Sequence, residues 1–457
     1  MNSVIDLYNK IFIDEGDNIQ TFPGLKAVHT GINARNAVGN LMKAWFHDGA
    51  MRSILKNTGY LASGKAFGGL VGLLALVCTG RGLTVDSFGT VMLIHSYTLG
   101  VAALTKFQSW QMIVRYATPA MKRDNRTVAI SAIRFACGLD LGSGLFGMTL
   151  AMSGLFFFSS YFGLPADSRP FAVAYCSLIP TMSSSTPAGV LRVTDRLDLI
   201  STQQVATPFL RAFGAGICWL SSLSMPFYLL TWYIADLGGD LVLWCRAASE
   251  LRRRKIIGAL RPSFIAAQRD LPAVWNFVWS TNLTTSLDSC KEPVSSVILG
   301  HMLGPAAVGI YRIATSILSA AIKPALLMEK GFYPEIMRLG PASRQPWLLG
   351  LRSAILAAGT GLGTVIGIWL LAGPVTSLFG GQYHVVSTAL MIMAPSIIIS
   401  MAGFPIPSLL FMAGRPKALF YSHIIGTSVW LCALIWLTRA CRQLARGTTR
   451  LVISSDM

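Results

Sequence analysis

Charge is what this sequence has least of. Asp, Glu, Lys and Arg make up 13% of its 457 residues, against roughly 25% in a soluble globular chain. With so little water-facing charge, a large soluble enzyme of this length is excluded. Catalytic motifs are missing as well. There is no H-E-x-x-H, no G-x-x-x-x-G-K-[ST] and no D-x-D, so zinc-protease, ATP-hydrolysing and metal–nucleotide glycosyltransferase chemistry have no motif to rest on. The six His (His29, His47, His95, His301, His384, His423) are scattered without ligand spacing. The eight Cys include no C-x-x-C pair and fall mostly in apolar blocks, as Cys78, Cys176, Cys218 and Cys432 do. They read as small buried hydrophobes. No metal and no cofactor is expected, and transport without ATP would run on an ion, potential or substrate gradient.

What the chain does have is apolar length. Hydrophobic residues make up 53% of it, and mean hydropathy is +0.55. They fall into blocks of about 20, enough for one bilayer crossing each. Eleven spans are expected, near 57–80, 88–112, 139–162, 170–191, 205–224, 226–246, 273–299, 303–328, 350–372, 385–412 and 418–438. The stretch 205–246 is one apolar run of double length, divided at Pro226, and Asp236 and Asp240 make its second half the least apolar span. The fold class is an all-α polytopic transmembrane bundle. In the first 50 residues no compact apolar core follows a basic start, so membrane targeting is expected to come from the first span.

Loop charge orients the bundle. One set of alternate loops holds Arg115, Lys122, Arg123, Arg126, Arg134, Arg192 and Arg196, then Arg246, Arg252, Arg253, Arg254, Lys255, Arg261 and Arg269. It continues with Lys330, Arg338, Arg344, Arg352, Arg415 and Lys417. That is about 20 cations against Arg81 and Arg169 in the opposite set, which places the N-terminus and the basic loops in the cytoplasm. A formal net charge of +18 is thereby explained by topology. No basic patch interleaved with aromatics lies outside the spans, so nucleic acid is not a partner and anionic membrane lipids are. Eleven crossings put the tail on the far side, yet it carries Arg439, Arg442, Arg446 and Arg450; either the last span is miscounted or a twelfth crossing normally follows.

The domain reading has five parts: a polar segment 1–51, a transmembrane half 52–249, a basic linker 250–271, a second transmembrane half 272–438 and an Arg-rich tail 439–457. The halves read as a weak repeat of about six helices each. Arg81-Gly-Leu-Thr-Val-Asp-Ser-Phe-Gly and His301-Met-Leu-Gly-Pro-Ala-Ala-Val-Gly both set a Leu six residues before a Gly, between the first two spans of their half. Repeats of this kind are common in transporters.

Ionisable side chains within spans are the candidate site, because a charge at a helix centre costs roughly 2.5–3.5 kcal/mol even on insertion scales. They are Lys65, Lys106, Arg211, Asp288, Lys291, Glu292, Arg312 and Lys323. Six cations face two anions, so cations turned inward would line a cavity suited to a phosphate or another anion. The alternative is structural. Lys65, Lys106 and Lys323 lie near helix ends and can snorkel to headgroups, and Asp288 and Lys291 share a helix face and can neutralise each other. Asp288 and Glu292 are the candidates for a coupling proton or sodium ion. Pro180, Pro187, Pro293, Pro324, Pro395, Pro405 and Pro407 break or kink spans, as hinges or as tolerated packing kinks. The run Ser183-Ser184-Ser185-Thr186 offers hydroxyls to a sugar or a neighbouring helix.

Four stretches resemble a known family. They are Leu55-Lys-Asn-Thr-Gly-Tyr-Leu with the later Asp86-Ser-Phe-Gly, Gly189-Val-Leu-Arg-Val-Thr-Asp-Arg-Leu-Asp-Leu, Gly300-His-Met-Leu-Gly-Pro-Ala-Ala-Val-Gly-Ile-Tyr-Arg-Ile-Ala and Ala413-Gly-Arg-Pro-Lys. In this order, over residues 52–437, the chain resembles the polysaccharide-synthase and O-antigen flippases of the multidrug/oligosaccharidyl-lipid/polysaccharide exporter superfamily. The resemblance implies an inner-membrane protein that moves a polyprenyl-diphosphate-linked oligosaccharide by alternating access, with a polysaccharide polymerase and export machinery as partners. It implies that Arg211, Lys291 and Arg312 grip the diphosphate, assisted by Lys65 and Lys106. Two alternatives stand beside it. An ion-coupled drug or metabolite exporter would want acidic residues in its cavity, and a membrane polymerase or lipid-linked glycosyltransferase would want a large outer loop.

Overall fold

The computed structural model describes residues 49–264, 270–339, 345–414, 418, 421–422 and 424–439. The polar segment up to residue 48 and the tail beyond Arg439 lie outside the described residues, as do Arg269, Arg344, Arg415 and Lys417. Two compact units are distinguished, Met1–Tyr60 and Leu61–Met457, and the second carries the helix bundle.

All regular structure among the described residues is helical. The first half comprises α1 (Gly49–Gly82), α2 (Val85–Thr105), α3 (Ser109–Lys122), α4 (Arg126–Phe158), α5 (Arg169–Tyr175), α6 (Ile179–Met182), α7 (Ser185–Val193), α8 (Leu197–Leu220) and α9 (Met225–Arg253). The second comprises α10 (Val274–Leu303), α11 (Pro305–Leu339), α12 (Gln345–Ser377), α13 (His384–Met393), α14 (Ser396–Gly403), α15 (Pro405–Met412) and α16 (Ile424–Arg439). Helical pieces thus occupy all eleven expected segments. Among the described residues four helices are long and apolar enough to cross a membrane whole: α2, α4, Pro305–Ile322 of α11, and α12. A pair, Gly381–Met393 and Ser396–Leu410, passes the same test together but is bent by 41° at its break, the geometry of a broken span or a re-entrant loop. Pro395 and Pro405 explain that segment, since neither can donate the hydrogen bond that would continue the helix before it.

Hydroxyls inside the helices are satisfied locally. Thr79, Thr90, Thr98 and Thr105 each donate to the carbonyl four residues back, at 2.7–3.0 Å, which removes the cost of a free donor in an apolar medium. The second span ends earlier than expected. Helix α2 stops at Thr105, Lys106 is extended (φ −71°, ψ 143°), and α3 begins afresh at Ser109. The fourth span is also interrupted, at Ser183 (φ −77°, ψ 56°), between α6 and α7.

Two apolar cores result. One joins both halves, running from Phe88, Met92 and Tyr228 to Val308, Tyr383 and Met401. The other belongs to α3, α4, α7, α9 and the linker, with Leu271, Val274 and Val278 at the start of α10. Helix α2 is the element between the halves and is buried from Phe88 through Thr98. Here the sequence repeat acquires a spatial meaning. A Cβ built on Gly309 would lie 3.3 Å from Gly89 Cα, and one on Gly89 only 1.9 Å from the Pro305 carbonyl oxygen. The two glycines of the repeat face each other, and their missing side chains let α2 and α11 touch backbone to backbone.

The bundle end with the Arg81 and Arg169 loops is laced between halves. Arg81 Nε donates to the Leu378 carbonyl at 2.7 Å, and Gln382 Nε2 donates to the carbonyls of Gly80 and Leu83 at 3.1 and 2.9 Å. The basic end of the first half is held by charge instead. Buried Glu250 takes Arg253 and Arg254, each at 2.9 Å, and Arg196 at 3.6 Å. Burial pushes the Glu250 carboxyl up, but the Arg254 and Arg253 hydrogen bonds outweigh it and hold the group below the usual glutamate range.

Candidate functional site

Five polar residues sit at one depth. Counted from the weakly charged end, His95 is ten residues into α2 (from Val85), Arg211 nine from the end of α8 (Leu220), and Asp236 eleven into α9 (from Met225). Glu292 is eleven residues from the end of α10 (Leu303) and Arg312 seven into α11 (from Pro305). At about 1.5 Å per residue these positions lie roughly 10–17 Å along their helices from that end.

In the first half Arg211 forms an ion pair with Asp236, through Asp236 Oδ1. The guanidinium lies over the Trp232 ring, 4.4 Å from its centroid. The other carboxylate oxygen, Oδ2, accepts from the Tyr175 hydroxyl at 3.2 Å. Tyr175 in turn meets His95 Nδ1 at 3.0 Å, and that nitrogen is 3.7 Å from Asp236 Oδ2. His95 packs edge-on against Trp232, whose indole N–H donates to Thr79 at 3.4 Å. Five helices thus converge on one carboxylate–guanidinium pair. His95, Tyr175, Trp232 and Asp236 are all buried, with Asp236 only 6% exposed.

In the second half Arg312 pairs with Glu292, between α11 and α10. Its surroundings are more open, for the Glu292 side chain is 43% exposed. The two arginines share a feature. The Nε–H of Arg211 and the Nε–H of Arg312 are both buried and have no hydrogen-bond partner among the described residues. A buried donor without a partner costs about 1–3 kcal/mol, so each guanidinium retains one donor that an arriving acceptor would satisfy.

The other expected site residues are distributed differently. Lys291 is half-buried on α10 beside Glu292, and the Asp288 and Lys323 side chains lie outside the described residues. Lys65 is exposed on α1. Lys106 is not inside a helix but in the break between α2 and α3. There its charge acts on Asp240 and Asp140. Asp140, 2% exposed, explains why two spans break at this level. Its Oδ1 accepts from Ser109 Oγ at 2.6 Å and its Oδ2 from the Thr186 backbone N–H at 2.7 Å. One carboxylate thus accepts from the Ser109 hydroxyl at the start of α3 and from a backbone N–H in the first turn of α7, where helix N–H groups lack internal partners. Ser184 and Thr186 of the hydroxyl run therefore face neighbouring helices, with Asp240 near Ser184.

His95, Tyr175, Asp236 and Asp140 were missed as site residues by sequence reasoning. The signal was present for three of them. A carboxylate or imidazole in an otherwise apolar span is costly and so marks a polar site.

Residues 54–339 match the polysaccharide biosynthesis protein family. The inner membrane protein YghQ of Escherichia coli K12 is 41% identical over 343 residues, 75% of this chain and 97% of that one. A multidrug resistance MATE family transporter of the MOP superfamily, in an inward-facing conformation, superposes with a TM-score of 0.64 at 15% identity, over 83% of this chain and 96% of its own. A MOP superfamily transporter from Pyrococcus furiosus, reported for the reverse polarity of its binding pocket, gives 0.50 at 14% identity, over 85% and 96%. At these identities the structural likeness is one of fold alone.

Proposed function

The chain belongs to the polysaccharide biosynthesis protein family, and from that premise we propose that it flips a polyprenyl-diphosphate-linked oligosaccharide across the membrane for surface or exopolysaccharide assembly. It is a multi-pass membrane protein of the transporter or flippase class, and in this reading it makes and breaks no covalent bond. One observation carries the cargo assignment. Two guanidinium groups, one from each half, lie at a similar depth, each with an unsatisfied Nε–H. Arginine is the side chain best matched to phosphate oxygens, by fixed charge and forked donors. A diphosphate with several oxygens has enough acceptors for both. The glycan would occupy the space between the halves while the polyprenyl tail stays in the bilayer, so only the head group must cross.

Orientation follows loop charge in this proposal, with the basic loops cytoplasmic. The laced end would then be the periplasmic gate, and its opening would release the glycan outward. Lys291, beside Glu292, and Lys106 and Lys65, nearer the basic end, would attract the diphosphate on its way in.

A second reading has its own support. Asp140, Asp236 and Asp240 are buried carboxylates in one half, as an exporter of cationic compounds would need. The pairing of Asp236 with Arg211 and the capping by Asp140 use up two of the three, so the flippase is preferred. The test is genetic. Alanine at Arg211, Arg312, Lys291, Lys106 and Lys65, one at a time, should lower surface polysaccharide at constant protein level, most strongly at the two arginines. Normal polysaccharide in all five variants would sink the reading.

A further inference from the structure

The two arginines that the cargo needs are already engaged. Each is held by a carboxylate of the same half, Asp236 for Arg211 and Glu292 for Arg312. We propose that these carboxylates are built-in competitors of the cargo: the diphosphate binds by displacing them from the guanidinium groups, and their return expels it. The inference rests on the reading of the cargo as a lipid-linked diphosphate and names what regulates its hold.

Before cargo arrives, the arginines need counter-ions. An unpaired guanidinium at mid-membrane is costly, and an internal carboxylate removes most of that cost. A carboxylate carries one charge and two oxygens, and a guanidinium has five donors. The internal pair is thus incomplete, as the free Nε–H on both arginines records. A diphosphate offers more charge and more oxygens and can take the whole edge of the fork. Trp232 covers one face of Arg211 at 4.4 Å, which fixes the plane, and the buried Nε–H comes into play only when the carboxylate moves aside.

The loaded site poses the opposite problem. Two arginines on a diphosphate in a low-dielectric interior would hold it too tightly to release. A carrier must bind well enough to load and weakly enough to unload, and a nearby competing anion lowers the net gain without removing either arginine.

Each carboxylate also has somewhere to go, and the two destinations differ. Asp236 meets Arg211 through Oδ1 while Oδ2 already accepts from Tyr175, with His95 behind it. When Arg211 turns to the cargo, Asp236 keeps a buried partner. Glu292 has a 43% exposed side chain, so it has room to swing away when Arg312 is taken. Asp236 thus keeps one hydrogen bond but loses its counter-ion, and that cost is what drives its return to Arg211.

The competitor role has an unusual signature, because removing a negative residue from an anion site should tighten binding and yet slow transport. The experiment measures binding of polyprenyl diphosphate to the purified full chain in detergent, with polyprenol as control, beside flipping of the same lipid in proteoliposomes. Asp236→Asn and Glu292→Gln should each bind about tenfold more tightly, the equivalent of one charge-assisted hydrogen bond no longer contested, and should flip more slowly than the unaltered chain. Glu292→Gln alters a half-exposed group and serves if Asp236→Asn does not fold. If the unaltered chain binds polyprenyl diphosphate no better than polyprenol, the cargo reading itself fails. If it binds the diphosphate, and a folded variant binds equally or more weakly, the competitor inference is overturned while the cargo reading stands.

Discussion

Arg211 and Arg312 carry the same side chain at a similar depth, and each faces one carboxylate across a helix–helix contact. Their settings are otherwise unlike. Asp236 is 6% exposed and held by a tyrosine backed by a histidine, with the arginine stacked on Trp232. Glu292 is 43% exposed. The first pair is a fixture of its half, assembled from five helices; the second is a two-helix contact with a half-exposed carboxylate. The same ion pair thus carries different energetic weight. Breaking a buried pair leaves a stranded charge, whereas the partner left by a more open pair can reorient.

The largest test of that contrast is stability. Arg211→Ala strands Asp236 and should cost about 3–5 kcal/mol, seen as a clear drop in the thermal midpoint of the purified protein. Arg312→Ala should cost clearly less, because Glu292 is less enclosed than Asp236 and can reorient. The double variant Arg211→Ala with Asp236→Ala should recover much of the loss. Equal destabilisation by the two single variants would break the comparison.

A smaller effect sharpens it. Tyr175→Phe removes the hydroxyl that holds Asp236 Oδ2, at a cost of about 1 kcal/mol. It should abolish the advantage that Asp236→Asn gives in diphosphate binding, or reduce it, and leave the effect of Glu292→Gln intact. A Tyr175→Phe chain in which both carboxylate variants respond equally would mean that the network around the first pair is not separate from the second.

Much of this was legible in the sequence. Apolar blocks, loop charge and the resemblance carried by the Gly189 and Gly300 stretches pointed to the helical bundle and its family. The small repeat around Gly89 and Gly309 marked the contact at which the halves meet. Arg211 and Arg312 stood out because charge is rare in spans, and Glu292 did so for the same reason. Their pairing did not, since Arg211 meets Asp236 across 25 residues and His95 meets Tyr175 across 80, a matter of tertiary packing. Asp236 in particular looked like a flaw in a span when it is the counter-ion of one. The break at Lys106 was invisible for a related reason. Asp140 on another element holds Ser109, the first residue of the next helix, from 31 residues away, and local propensity does not record such a partner.

Whether the two arginines, one from each half, hold a single diphosphate is tested most directly by titrating polyprenyl diphosphate against the purified chain. The expected result is one lipid per chain, with affinity falling at least about tenfold in Arg211→Ala and again in Arg312→Ala, the value of a charge-assisted hydrogen bond in each case. Affinity unchanged in either arginine variant, with the protein folded, would contradict it.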